Sequence, residues 1–211
     1  MRFWIKTNRF IKWLFPKYIW EIPNAKKEVY LTFDDGPTPE ITAWTLNELQ
    51  KHNAQATFFC IGNNIEKHPD LFKRIVESGH AIGNHTFNHL KGWETDLNTY
   101  IENTHLCQKQ FDSQNLPFVN LFRPPYGKIK NSQANALQQL GYKIIMWDII
   151  SQDYDKTVSE EMCVKNVIQH VKPGSIIVFH DSIKASQNLK YALPKVLKFL
   201  NENGFVCSKI D

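Results

Sequence analysis

Three groups of ionisable residues stand at the ends of short apolar runs: Asp34-Asp35, His85 with His89, and His180-Asp181. Such runs read as buried strands, and strand ends from distant parts of a chain can meet at one site. Two histidines and a carboxylate are a common ligand set for a hydrolytic metal ion. A second carboxylate and a third histidine then remain free to act as base and acid.

Each group has its own logic. His85-Thr86-Phe87-Asn88-His89 sets two imidazoles four residues apart, so one helical turn or a tight loop aims both at one ion. On its own this spacing often arises by chance. Asp34-Asp35 follows the run Val29-Tyr30-Leu31-Thr32-Phe33 and precedes a Gly-Pro turn. Adjacent acids repel unless a cation or a base role separates them. A turn cap would account for one carboxylate but not both. Zinc in such a site lowers the pKa of water to about 7. His180, after Ile176-Ile177-Val178-Phe179, is the candidate acid; a histidine that only packs or caps is the plainer reading.

These residues need elements to position them, and the chain past Pro23 alternates strand and helix. Strands are expected over 28–33, 56–61, 80–83, 119–122, 142–147, 175–179 and 205–207. Helices are expected over 39–51, 69–78, 94–112, 131–140, 159–170 and 188–201. Repeated strand–helix units imply an α/β fold with a parallel sheet and helices outside. About seven units without a dinucleotide fingerprint favour a distorted (β/α) barrel over an open doubly wound sheet. In barrels, active residues sit where strands end. Asp34, Asp35, His85, Arg123, Asp153 and His180 all fall at or soon after such ends.

Composition narrows the class. The 211 residues suit one domain, and 42% hydrophobic with 22% charged residues reads as globular. The net charge of +4 is mild and spread out, so a nucleic-acid partner is not expected. No apolar run approaches the roughly 18 residues of a spanning helix. Cys60, Cys107, Cys163 and Cys207 are far apart and read as buried thiols. His52, His68, His80, His105 and His170 read as surface or helix-end residues. Asn84-His85-Thr86 fits a glycosylation acceptor but overlaps the candidate ligands, so it reads as chance. Trp93 reads equally as a sugar-stacking or a packing residue.

Residues 1–22 form a separate, basic and amphipathic segment ahead of a 23–211 domain. As a helix ended by Pro16, it would put Phe3, Trp4, Phe10, Ile11, Leu14 and Phe15 on one arc. Lys6, Arg9 and Lys12 would share the opposite arc with Trp13. Peripheral membrane contact through residues 1–20 and packing on the domain are both open. A cleavable signal fits less well, since Lys12 interrupts the apolar run and no small-residue cleavage site follows. The cellular side and the oligomeric state are not readable from these features.

Four segments occur in order: Thr32-Phe33-Asp34-Asp35-Gly36, His85-Thr86-Phe87-Asn88-His89, Arg123-Pro124-Pro125-Tyr126-Gly127 and Val178-Phe179-His180-Asp181. Together they resemble the polysaccharide deacetylases, the NodB-homology domain of the carbohydrate esterases, over roughly residues 25–210. The resemblance implies a distorted barrel and metal-dependent removal of acetyl groups from N-acetylglucosamine-containing glycans. By position, Asp34 matches the base. Asp35, His85 and His89 match the ligands of one divalent ion, zinc above all, with cobalt or nickel accepted. Arg123 matches the residue orienting the base, His180 the acid and Asp153 its partner. The Tyr126 amide matches an oxyanion donor within the Pro125-Tyr126 turn, and Val178 matches a leucine of the acetyl pocket. Two positions depart from the pattern: Ile150 stands where an acid is usual, and Tyr154 replaces a tryptophan. They leave open a non-catalytic glycan-binding protein on this fold, or a hydrolase of another small amide or O-acetyl ester. Asp181 has no assigned part.

Overall fold

The computed structural model describes residues 4–115 and 119–211, so Phe3 falls outside the described residues. Its strands are β1 Glu28–Asp34, β2 Ala56–Cys60, β3 Ala81–Asn84, β4 Leu121–Phe122, β5 Lys143–Ile144, β6 Ile149–Ile150, β7 Ile176–His180 and β8 Val206–Cys207. Its helices are α1 Arg9–Leu14, α2 Ile41–Lys51, α3 Gly62–Lys67, α4 Pro69–Glu77, α5 Leu97–Asp112, α6 Asn131–Gln139, α7 Glu160–Ile168 and α8 Ser186–Glu202.

Seven parallel strands follow the order β5-β4-β3-β2-β1-β7-β6 and curl into a half-barrel, with β8 pairing the start of β1. β1 sits centrally and is buried on both faces, which is why its sequence reads as a nearly continuous apolar run. Alternate residues serve two cores. Val29, Leu31 and Phe33 pack outward under the helices. Tyr30 packs inward with Phe59, Leu121, Ile145, Ile176 and Ile210. In register, Tyr30 faces Ile176, Thr32 faces Val178 and Asp34 faces His180. The inward row therefore passes from apolar to ionisable toward the C-terminal ends of the strands.

The half-barrel leaves open edges at β5 and β6, and residues 5–21 run along both. The Ile150 N–H donates to the Ile5 carbonyl (2.9 Å) and the Thr7 N–H to the Asp148 carbonyl (2.8 Å). The Ile19 N–H donates to Ile144 (2.8 Å), and the Met146 N–H to Ile19 (2.7 Å). This strap gives the edge groups of both strands their partners.

The helix within the strap is shorter than the arc reading implied. Only Arg9–Leu14 is helical, and Lys6 lies in an extended bridge to Ile149. Arg9, placed on the same arc as Lys12 by the sequence, is exposed, while Lys12 points inward. Its ammonium lies 2.6 Å from the fully buried Asp148 and 2.5 Å from Glu21. A buried carboxylate is costly without a cation, and Lys12 meets that need with Lys6 at 3.6 Å and the Ser175 hydroxyl at 2.8 Å.

Other differences are local. α3 and β6 had no counterpart in the expected pattern. The expected 94–112 helix divides into a 3-10 turn at Gly92–Glu94 and α5, because the Asp96 side chain caps α5 by accepting from the Thr99 N–H. His80 is buried, and its Nδ1 accepts from the Ala56 N–H. Burial pushes its pKa down to about 4. Asn84 is buried and bonded to Thr86 and Thr104, so it offers no glycosylation acceptor. The four cysteines are free and buried.

Candidate active site

Strand ends gather the ionisable residues into one pocket of about 310 Å³. Asp34 closes β1, His85 follows β3 and His180 closes β7. The Asp34, Asp35, His85, His89, Tyr126, Ile150, Tyr154, Val178 and His180 side chains line the pocket together with Trp147 and Lys184.

Asp35 leaves the strand with φ 81°, a left-handed turn that swings its carboxylate away from that of Asp34. It meets two imidazoles: His89 Nε2 at 3.2 Å and His85 Nε2 at 3.8 Å. One donor atom from each of the three lies within 4.8 Å of the others. His85 Nδ1 lies 2.7 Å from the Arg123 carbonyl. That contact makes Nδ1 the protonated nitrogen and leaves the Nε2 lone pair facing Asp35, as metal-binding histidines require. Burial pushes the His85 pKa down to about 4, which keeps the ring in its neutral, ligating form. Burial of Asp35 works to raise its pKa, but its bond to His89 and the charge of His180 hold its carboxyl well below the ordinary range. An oxygen and two nitrogens from three side chains are a donor set for a zinc-like divalent ion with positions open for water and substrate.

Asp34 is turned the other way. Arg123, fully buried, donates to its carboxylate at 2.8 Å and to the Thr32 hydroxyl at 2.6 Å. The Nε hydrogen and one Nη2 hydrogen donate to the Ile145 and Met146 carbonyls at 3.2 and 3.0 Å. The guanidinium also stacks on Phe59, 4.1 Å from the ring centroid. Every arm of the guanidinium is held, so Asp34 has a fixed position.

Across the pocket, His180 Nδ1 lies 2.7 Å from Asp153 Oδ1, while the His180 backbone N–H donates to Oδ2, also at 2.7 Å. Burial works to lower the His180 pKa. The charge and hydrogen bond of Asp153, then Asp35 and Asp34, outweigh it and raise the pKa to about 9. Nε2 thus carries a proton at neutral pH and is free to donate it. The Tyr154 ring packs edge-on against His180.

Tyr126 sits in the Pro125–Gly127 turn at φ 59° and packs its ring on His89, 4.5 Å between centroids. The turn's own bonds are made by the Gly127 and Lys128 amides, not by the Tyr126 amide. Pro125 is buried beneath. Ile150 and Val178 are register partners on β6 and β7, and both lie on the pocket wall. Trp93 is exposed, with its indole N–H bonded to Ile129 and Lys128 over its ring.

Sequence reasoning missed Trp147, Lys184 and Asp181. Trp147 shares a segment with Ile150 and Tyr154, which was the available signal. Asp181 has a part after all: fully buried, it accepts from the Gly36 N–H (3.1 Å) and the Thr42 hydroxyl (2.5 Å). Its own N–H donates to the Asp34 carbonyl at 3.1 Å. It therefore braces the turn that carries both acids, and a Cβ on Gly36 would collide with its carboxylate.

A curled parallel sheet bearing a three-donor cluster, a fixed carboxylate and a charged histidine around one pocket is the layout of a hydrolase. The chain belongs to the polysaccharide deacetylase family, whose model, "Polysaccharide deacetylase", matches residues 21–145. It is 35% identical over 187 residues to a peptidoglycan-N-acetylglucosamine deacetylase of Bacillus cereus, covering 88% of this chain and 87% of that protein. It is 31% identical to a chitooligosaccharide deacetylase of Azorhizobium caulinodans, covering 76% of each. Among solved structures, it is similar to the Bc1960 peptidoglycan N-acetylglucosamine deacetylase, with a TM-score of 0.87, 33% identity and coverage of 95% and 93% of the two chains.

Proposed function

We propose that this polysaccharide deacetylase removes N-acetyl groups from N-acetylglucosamine-containing glycans, with one divalent ion held by Asp35, His85 and His89. The substrates would be peptidoglycan glycan, chitin-like oligomers or a surface polysaccharide. The observation that carries the reading is the placing of a fixed carboxylate and a protonated histidine around the three-donor cluster.

When bound, a zinc, cobalt or nickel ion would polarise water and the amide carbonyl. Asp34, held by Arg123, takes the proton of the attacking water. The Tyr126 amide donates a hydrogen bond to the carbonyl oxygen as negative charge builds there. Val178, Ile150 and Tyr154 offer the acetyl methyl an apolar wall. His180, kept protonated by Asp153, gives its Nε2 proton to the departing sugar nitrogen. Acetate and a free amine are released. Ile150 in place of an acid makes that wall more apolar without touching the groups that move protons.

Acetate release from a soluble N-acetylglucosamine oligomer, measured before and after chelation, tests the reading. Release should stop on chelation and return with zinc, cobalt or nickel. Asp34→Asn should lose about a hundredfold or more in kcat while binding the same amount of metal. Full activity in Asp34→Asn would remove the base assignment. Undiminished release from metal-free protein would remove the ion.

A further inference from the structure

Of the apolar residues of α1 only Ile11 packs against the core. Phe10, Trp13 and Leu14, at the i, i+3, i+4 spacing of one helical face, are 59%, 71% and 46% exposed. The Phe10 and Trp13 rings stack on one another, 5.8 Å between centroids, on the water side. The polar Lys12 instead points inward to Asp148 and Glu21. Trp4, before the helix, and Phe15, just after it, are also exposed. A helix of an ordinary protein surface places its apolar face on the core. Here the buried carboxylate claims the lysine, and the helix can satisfy it only by turning the aromatic side outward.

Charge indicates what covers this face. Between residues 4 and 20 every charged side chain is basic: Lys6, Arg9, Lys12 and Lys17. Lys6 and Lys12 are drawn inward by Asp148. Arg9 and Lys17 remain exposed, and no acid lies among them. Tryptophan and phenylalanine beside free cations match the boundary layer of an anionic bilayer, where rings enter the headgroup region and cations meet lipid phosphates. No described helix is long and apolar enough to cross a membrane, so contact would be in the plane of the surface.

We propose that the Phe10–Trp13–Leu14 face of α1, rimmed by Arg9 and Lys17, docks on a lipid surface bearing anionic headgroups. The proposal concerns where the enzyme works and is independent of its chemistry. Because the strap is hydrogen-bonded to β5 and β6, docking there would hold the whole barrel at the surface.

The test is co-sedimentation of the full chain with phosphatidylcholine vesicles, with and without phosphatidylglycerol. Binding should require phosphatidylglycerol, weaken with salt, and fall at least about tenfold in Phe10→Ser/Trp13→Ser. Arg9→Glu/Lys17→Glu should lose the phosphatidylglycerol dependence. Both variants should keep the parent's melting temperature and acetate release from a soluble oligomer, since none of the four residues lies in the pocket. Equal sedimentation of parent and variants would overturn the proposal. So would a dimer in sedimentation velocity, or binding to insoluble glycan in place of vesicles, that Phe10→Ser/Trp13→Ser abolishes.

Discussion

Asp34 and Asp35 are neighbours with opposite surroundings, and that contrast organises the chemistry. Asp34 ends a regular strand and faces a guanidinium; Asp35 begins a left-handed turn and faces imidazoles. Replacing Arg123 with leucine would leave Asp34 buried without its cation. We expect a loss of about 3–5 kcal/mol in urea unfolding, beside a fall in kcat. The His180–Asp153 pair predicts a pH profile. With the His180 pKa raised to about 9 from the ordinary 6.5, the acid stays protonated through neutrality, and kcat/KM should fall only as pH rises through about 9. The same shift favours the folded state fully below about 6.5, and that contribution is lost as pH passes about 9. In Asp153→Asn the alkaline limb should move down toward 6.5; an unmoved limb would mean that another group sets it. Most of these residues were legible because isolated acids and histidines stand out after apolar runs. Asp181 was not: it acts through Gly36 and Thr42, partners distant in sequence.

At the scale of elements, periodicity reads faces but not directions. The mix of aromatic and basic residues in the 1–20 segment was visible in the sequence, but the arcs were not: only 9–14 is helical, Trp13 lies outward with Phe10 and Leu14, and of the helix's basic residues Lys12 alone turns inward, to Asp148 more than a hundred residues away. β6 was equally hidden, since no Gly or Pro separates Ile149-Ile150 from the 142–147 run that precedes it. The long central strands were plain because burial on both faces makes them continuous apolar runs. Lys12→Ala should destabilise the fold by about 2–3 kcal/mol, since Asp148 keeps only Lys6, at 3.6 Å, and Ser175. In Thr7→Val the wall at Trp147 should loosen, since the Thr7 hydroxyl donates to the Trp147 carbonyl at 2.7 Å. A higher KM without a matching fall in metal affinity is the expected kinetic sign in Thr7→Val.

At the scale of the molecule, strand–helix alternation announced the barrel class, and the strand ends met where such folds place their sites. Saturating metal should stabilise the whole barrel. An ion at a hundred times its Kd contributes about 2.7 kcal/mol, or roughly 5–10 °C in melting temperature for a chain of this size. A scan unchanged by chelation would mean that the three donors bind nothing tightly. What the sequence could not announce was how the half-barrel is finished. The strap that fills the gap between β5 and β6 gives the fold an order in time. Residues 5–7 find their partners only after Ile150 has been made, so the loop they close runs over more than a hundred residues. Until then residues 5–7 lack their partners and the growing sheet ends in an unpaired edge, the state in which such chains are most prone to stick to one another.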